Sequence, residues 1–130
     1  MVIDTSAVVA ILQSEPISPQ LIEVLEATAD RRMSTASLVE ASIVMLKRYG
    51  EHGEREVDLF VHRLGVDVTP VTLDHAEIAR SAYRRFGKGR HPAGLDFGDC
   101  LSYALAIALG EPLLFVNTHF EATDVAVTVP

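Results

Sequence analysis

The sequence predicts an α/β domain built on a parallel sheet with helices on both faces. Short apolar runs alternate along the chain with longer segments of helical spacing. The runs MVI and PLLFV are apolar throughout and VDVTPV is β-branched, as expected of strands buried on two faces. With 130 residues, 48% of them hydrophobic, residues 1–130 can fill the core of a single domain.

Each element has its own signal. MVI reads as a short buried strand, cut off by Asp4-Thr5-Ser6. SAVVAILQ forms a helical turn or two and ends before Pro16. A second helix begins near Ser18-Pro19, with proline at an early helical position, and carries Leu21, Ile22, Val24 and Leu25. RRMSTAS contains a short strand around Met33. LVEASIVMLKRYG is a helix stopped by Gly50, and another starts from about Gly53 with Val57, Phe60, Val61 and Leu64 at helical spacing. VDVTPV is a strand. DHAEIARSAYRRFG is a helix with Asp74 as its N-cap and Gly87 just past its end. GDCLSYALAIALG is nearly all apolar, so it is buried on most sides. PLLFV and VAVTV complete the strands.

Composition narrows the function. Cys100 is the one cysteine and cannot form an internal disulfide, which fits a reducing compartment. No stretch approaches the roughly 20 apolar residues that span a bilayer, and no basic region precedes an apolar N-terminal run, so the expectation is a cytoplasmic protein without membrane contact. A net charge of −7 argues against tight non-specific nucleic-acid binding. The distribution qualifies the sum, because Arg84, Arg85, Lys88 and Arg90 cluster in YRRFGKGRHP. Cations favour a helix C-terminus, which accounts for Arg84 and Arg85 better than for Lys88 and Arg90, the residues flanking Gly89.

Three acids stand out: Asp4 after the first strand, Glu40 near the start of the third helix, and Asp99 at the start of the apolar helix. Each has a structural reading. Asp4 can cap the first helix, Ser37-x-x-Glu40 is a capping-box pattern, and Asp99 suits a helix N-terminus, with Asp96 as the cap. Together they read differently. Each charge borders or lies in an apolar segment, where it is costly unless paired or metal-bound. A hard cation such as Mg2+ relieves that cost through one or two carboxylates, waters and substrate phosphates. Two such ions would serve a phosphodiester displacement. Competing constellations are missing: no second cysteine for zinc, no GxxxxGK[ST] loop, no HExxH spacing, and no second acid to make Asp4-Thr5-Ser6 a phosphatase DxD loop.

MVIDTSA, the STAS segment running to Glu40, GKGRHPAGLDFGDCLSYALA and PLLF occur in this order along nearly the whole chain. In this combination the chain resembles PIN-domain ribonucleases, specifically VapC-type toxins of bacterial toxin–antitoxin pairs. The resemblance implies a three-layer α/β/α sandwich with a central parallel sheet and Mg2+- or Mn2+-dependent cleavage of RNA. It places Asp4, Glu40 and Asp99 as the catalytic and metal-binding acids, assisted by Thr5 or Ser6. It also implies a homodimer and a cognate VapB-type antitoxin. Lys88 and Arg90 are expected to contact RNA phosphates. Val8, Ile11, Leu12, Ile43 and Leu46 are the expected groove for an antitoxin helix, with core packing as the alternative. One departure matters. Where the family often carries a fourth acid after the last core strand, this chain has FVNTHF, with His119 in the acid's place. Histidine is a poor Mg2+ ligand and an acceptable Mn2+ ligand. The change leaves two readings: Asp96, Asn117 or Asp124 compensates, or the chain is a catalytically impaired, antitoxin-binding or regulatory PIN-fold protein.

Overall fold

The computed structural model describes residues 1–116 and 119–128. Five strands, β1 (Val2–Ile3), β2 (Arg32–Ser34), β3 (Asp67–Thr69), β4 (Leu113–Leu114) and β5 (Val127–Thr128), form one sheet in the order β3-β2-β1-β4-β5. Every pairing is parallel, as the apolar runs predict. The helices are α1 (Thr5–Leu12), α2 (Ser18–Glu26), α3 (Thr35–Tyr49), α4 (Glu51–Arg63), α5 (Leu73–Phe86) and α6 (Phe97–Leu109), with a 3₁₀ turn at His119–Ala122.

Successive strand residues point to opposite faces of a sheet, and two cores follow from that alternation. Val2 and Leu113 pack with Ala82, Phe86, Tyr103 and Leu105 of α5 and α6. Ile3 and Leu114, their neighbours in sequence, pack with Val8, Leu21, Ala41 and Val57 of α1–α4. The molecule is therefore the expected three-layer α/β/α sandwich. Residue pairs such as Ile3 and Leu114 are fully buried, where truncation to alanine costs about 2–5 kcal/mol. Among the described residues, no helix is long and apolar enough to cross a membrane.

Several boundaries differ from the sequence reading for local chemical reasons. VDVTPV pairs only over Asp67–Thr69, because Pro70 offers no N–H to extend the ladder. α3 starts three residues early: the Ser34 hydroxyl accepts from the Ala36 N–H at 3.2 Å and caps the helix as it leaves β2. Ser37 is thus inside the first turn, and Ser37-x-x-Glu40 is not a capping box. α5 is capped by Thr72, not Asp74; Thr72 Oγ1 accepts from the His75 N–H at 3.1 Å. Gly50, at φ +69°, ends α3 and begins α4, a backbone turn that suits glycine and folds the two helices against each other.

The strand order positions the site. From β1 the chain moves to β2 and β3 on one side, then crosses to β4 and β5 on the other. The crevice of such a sheet opens beyond the C-terminal ends of the strands at this reversal, here between β1 and β4. Asp4 follows β1 directly, and its N–H donates to the Leu114 carbonyl of β4 at 2.9 Å.

Candidate active site

Asp4 is held at the strand end by its neighbours. Its Oδ2 accepts from the Ser6 N–H at 3.0 Å and the Ser6 hydroxyl at 2.6 Å. It therefore caps α1, as its local sequence allows. Ser6 Oγ in turn accepts from the Val116 N–H at 3.1 Å, which ties the cap to the chain leaving β4. Asp4 is only 2% exposed. Burial raises its carboxyl above the usual carboxylate range, against hydrogen bonds from Ser102 and Ser6 that lower it; the Asp96 charge adds to the rise.

Asp99 and Asp96 form a reciprocal capping box at the start of α6. Asp96 Oδ1 accepts from the Asp99 N–H at 2.8 Å, and Asp99 Oδ2 accepts from the Asp96 N–H at 3.0 Å. Burial, with the Asp4 and Asp96 charges, pushes the Asp99 carboxyl up to about 6 against the lowering bonds to Asp96 and His119.

Glu40 projects from the second turn of α3 onto the first turn of α6. A Cβ built at Gly98 would lie 2.3 Å from Glu40 Oε2, so glycine is what admits the carboxylate so close to the helix. A carboxylate is favoured at a helix N-terminus. Burial still raises the Glu40 carboxyl, with Asp4 and Asp96 adding to the rise and a hydrogen bond from Thr5 opposing it.

Asp4, Glu40 and Asp99 thus lie at one end of the sheet, where the Asp4 charge reaches both Glu40 and Asp99. They do not close into a cage: among the described residues, no three His, Cys, Asp or Glu side chains are grouped so as to hold a metal ion. A Mg2+ site does not require such a cage, because the ion keeps several waters and binds through one or two carboxylates plus substrate oxygens. The oxygen donors of these acids fit a hard divalent cation, which Asp4 and Asp99 could hold with Glu40 beside them.

The residues weighed as compensation for His119 separate cleanly. His119 is in contact with the acids: its Nδ1 lies 2.9 Å from Asp99 Oδ2. The Asp96 charge helps to raise the carboxyls of all three acids. Asp124 is engaged elsewhere, accepting from the Tyr103 hydroxyl at 2.5 Å and from Arg85 at 3.2 Å, bonds that hold its carboxyl below the usual range. Asn117 lies outside the described residues.

The basic loop also divides. Lys88 borders a groove between α5 and α6 that reaches Asp96 and Phe97. Arg90 turns back, and its Nε donates to the Arg84 carbonyl at 3.3 Å, the helix-end role of a solvated cation. Sequence reasoning missed Ser102, whose hydroxyl lies 3.1 Å from that of Ser37 and which bonds Asp4. Its signal was the spacing of three from Asp99, one face of a helix. It also missed Gly98, whose signal was a glycine inside a helix start. Of the expected antitoxin contacts, Val8 is fully buried and belongs to the core, because it lies on the face of α1 that packs beneath the sheet. Ile11 and Leu12 are half-buried against that core. Ile43 and Leu46 are exposed, in line with Val39 on α3.

A family model described as PIN domain matches residues 1–126. The chain belongs to the PIN domain family. Relatives of this PIN domain include a Ribonuclease VapC of Mycolicibacterium smegmatis, 55% identical over 126 residues, covering 97% of this chain and 98% of the relative. Ribonuclease VapC30 of Mycobacterium tuberculosis is 52% identical over 126 residues, covering 97% of this chain and 96% of the relative. Among solved structures, the PIN domain resembles VapC20 of Mycobacterium tuberculosis, described as a sarcin-ricin loop cleaving toxin, with a TM-score of 0.80, 18% identity, and coverage of 99% and 98% of the two chains. A chain of a toxin–antitoxin complex from Klebsiella pneumoniae gives a TM-score of 0.75 at 19% identity, covering 98% and 95%. These structural likenesses bear on the fold and agree with the three-layer sandwich; the relatives at 52% and 55% identity agree with the VapC-type resemblance read from the sequence.

Proposed function

We propose that this PIN domain is the toxin of a toxin–antitoxin pair, a Mg2+-dependent endoribonuclease neutralised by a VapB-type antitoxin. The observation that carries the reading is the set of buried and half-buried carboxylates beyond the β1/β4 strand ends, each fixed by a cap or a glycine cradle. Burial at such cost calls for a cation. The naming of relatives at 52% and 55% identity as VapC ribonucleases supports it.

The chain's own residues divide the task. Ser6 and Ser102 fix Asp4, Asp96 fixes Asp99, and Gly98 admits Glu40 to the same edge. When bound, Mg2+ (or Mn2+) supplies Lewis-acid polarisation of a phosphoryl oxygen and an activated water. Lys88 offers a charge for a flanking phosphate. The exposed α3 face of Val39, Ile43 and Leu46 supplies an apolar surface for an antitoxin helix, and an antitoxin cation would pair with Asp4 and Asp99 in place of the metal. A homodimer, implied by the VapC-type resemblance, is part of the same proposal.

Expression without the antitoxin, followed by sequencing of RNA ends, tests the reading: one defined cut, absent from Asp4→Ala, is expected, and no cut at all refutes it. His119 on Asp99 favours a second reading, a catalytically impaired PIN domain retained as an antitoxin-binding or regulatory partner. Purified protein that binds the antitoxin yet leaves RNA intact with both Mg2+ and Mn2+ would establish it.

A further inference from the structure

The α5/α6 groove that Lys88 borders is a solvent-open cleft of about 740 Å³, within the roughly 300–1,000 Å³ range of ligand sites. Its floor is apolar, made by Ala79, Cys100 and Leu101, and its walls include the rings of Tyr83 and Phe97. Phe97 is 80% exposed. It is the first residue of α6, two positions from Asp99. Arg80, Arg84 and Lys88 line the groove in a chain of net charge −7, Arg80 paired on the surface with Glu77 at 2.9 Å, and Asp96 joins it to the acid cluster. A flat aromatic face beside several cations is how single-stranded nucleic acid is gripped: bases stack and phosphates pair.

We propose that this groove holds a nucleobase of single-stranded RNA next to the scissile phosphate, stacked on Phe97, with Arg80, Arg84 and Lys88 on the adjoining backbone. The inference rests on the ribonuclease reading and adds to it where the flanking nucleotide sits. Charge favours RNA over a second copy of this chain. A two-fold contact through this face would gather two sets of these cations into one interface, and like charges so gathered cost affinity.

The test uses the full chain in an Asp4→Asn background, which stops cutting while asparagine retains the helix cap. Binding of a fluorescein-labelled, unstructured RNA oligonucleotide is followed by anisotropy. Phe97→Ala is expected to weaken binding about tenfold and Phe97→Trp to preserve it. An abasic nucleotide scanned along the RNA should cost the Phe97-containing protein about tenfold at one position and cost the Phe97→Ala form nothing there. Equal affinity of the Phe97 and Phe97→Ala forms, or an abasic penalty independent of Phe97, overturns the proposal. A homodimer that Phe97→Ala dissolves with RNA affinity unchanged also overturns it, assigning the groove to a second copy. If the chain with Asp4 intact neither binds nor cuts RNA, the ribonuclease reading falls too; if it cuts and Phe97→Ala cuts equally well, only the base site falls.

Discussion

Asp99 gives the sharpest account of what the acid cluster costs. Its carboxyl is raised from 3.8 to about 6, first by burial and then by the Asp4 and Asp96 charges, with His119 Nδ1 and the Asp96 N–H on the same oxygen opposing the rise. A folded-state pKa above the unfolded value means that the native protein holds the proton more tightly. The stability contributed is therefore fully present below the ordinary value and is lost as pH rises through about 6. At about 1.4 kcal/mol per unit, the ceiling is about 3 kcal/mol at pH 7. Water reaching the carboxylate at the mouth of the site reduces this to about 2 kcal/mol, of which about half, or roughly 2–4 °C in melting temperature for a domain of this size, is lost between pH 5 and pH 7, because the unfolded carboxyl has already titrated at pH 5.

The assay is thermal melting in EDTA between pH 5 and pH 7, repeated with Mg2+. The parent should melt lower at pH 7 than at pH 5, and Mg2+ should restore the loss, since a cation relieves the same repulsion as a proton. Asp99→Asn removes this carboxyl's titration while keeping an oxygen to accept from the Asp96 N–H. It should melt at or above the parent at pH 7 without metal, show a flatter pH profile and respond weakly to Mg2+. An Asp99→Asn protein that melts far below the parent in EDTA would refute the reasoning, leaving Asp99 as a structural helix-start residue.

Three further outcomes follow from the same geometry. Gly98→Ala sets a methyl group against the Glu40 carboxylate; RNA cleavage should fall at least about tenfold while the melting temperature stays level or rises, since alanine favours helix by up to about 1 kcal/mol, and full activity would show that Glu40 has no part in cutting. Neutralising Lys88 should flatten the salt dependence of RNA binding by about one unit of slope, whereas neutralising Arg90 should change it little, because each lost phosphate contact removes about one counterion and Arg90 is turned to the end of α5. His119→Asp adds a fourth acid and should lower metal-free stability while tightening Mg2+ binding in a calorimetric titration; unchanged Mg2+ affinity would place position 119 outside the metal's surroundings.

The local parts of this molecule were legible in the sequence and the parts made by contact between distant segments were not. Asp4 could be found because an apolar run that stops at a carboxylate must end at a strand's edge, and the parallel sheet followed from runs apolar on both sides. Ser34 was missed as the α3 cap because STAS offers two serines and a threonine, and only the exit angle of β2 selects among them. Ser102 read as one small residue in a buried helix; its bonds to Ser37 and Asp4 depend on α3 and α6 crossing there. Lys88 and Arg90 flank Gly89 symmetrically in the sequence, yet the turn at Gly89, with φ +83°, sends them to different surroundings. The α5/α6 groove joins segments separated by the whole basic loop, so periodicity within either helix could not reveal it.

The cap and active-site readings of these acids, posed as rivals by the sequence, are compatible in the structure. The bonds described to Asp4 from Ser6, and to Asp99 from Asp96 and His119, fall on Oδ2 in both residues. One oxygen of each carboxylate fixes the side chain to a helix start, and Asp4 takes a further bond from Ser102. The ion-holding chemistry needs only one oxygen from each, since Mg2+ takes much of its shell from water and phosphate. Capping also locks each side chain's rotamer before any cation arrives, so less side-chain entropy is lost on binding. Replacing the cap partners rather than the acids separates the two contributions. Ser6→Ala keeps the Asp4 charge but removes the 2.6 Å bond and the link to Val116. Mg2+ binding should weaken several-fold in calorimetric titration, with Asp4 still present and the fold retained by circular dichroism. Unchanged Mg2+ affinity in Ser6→Ala would mean that the cap serves the helix alone and that the acid finds its metal geometry without it.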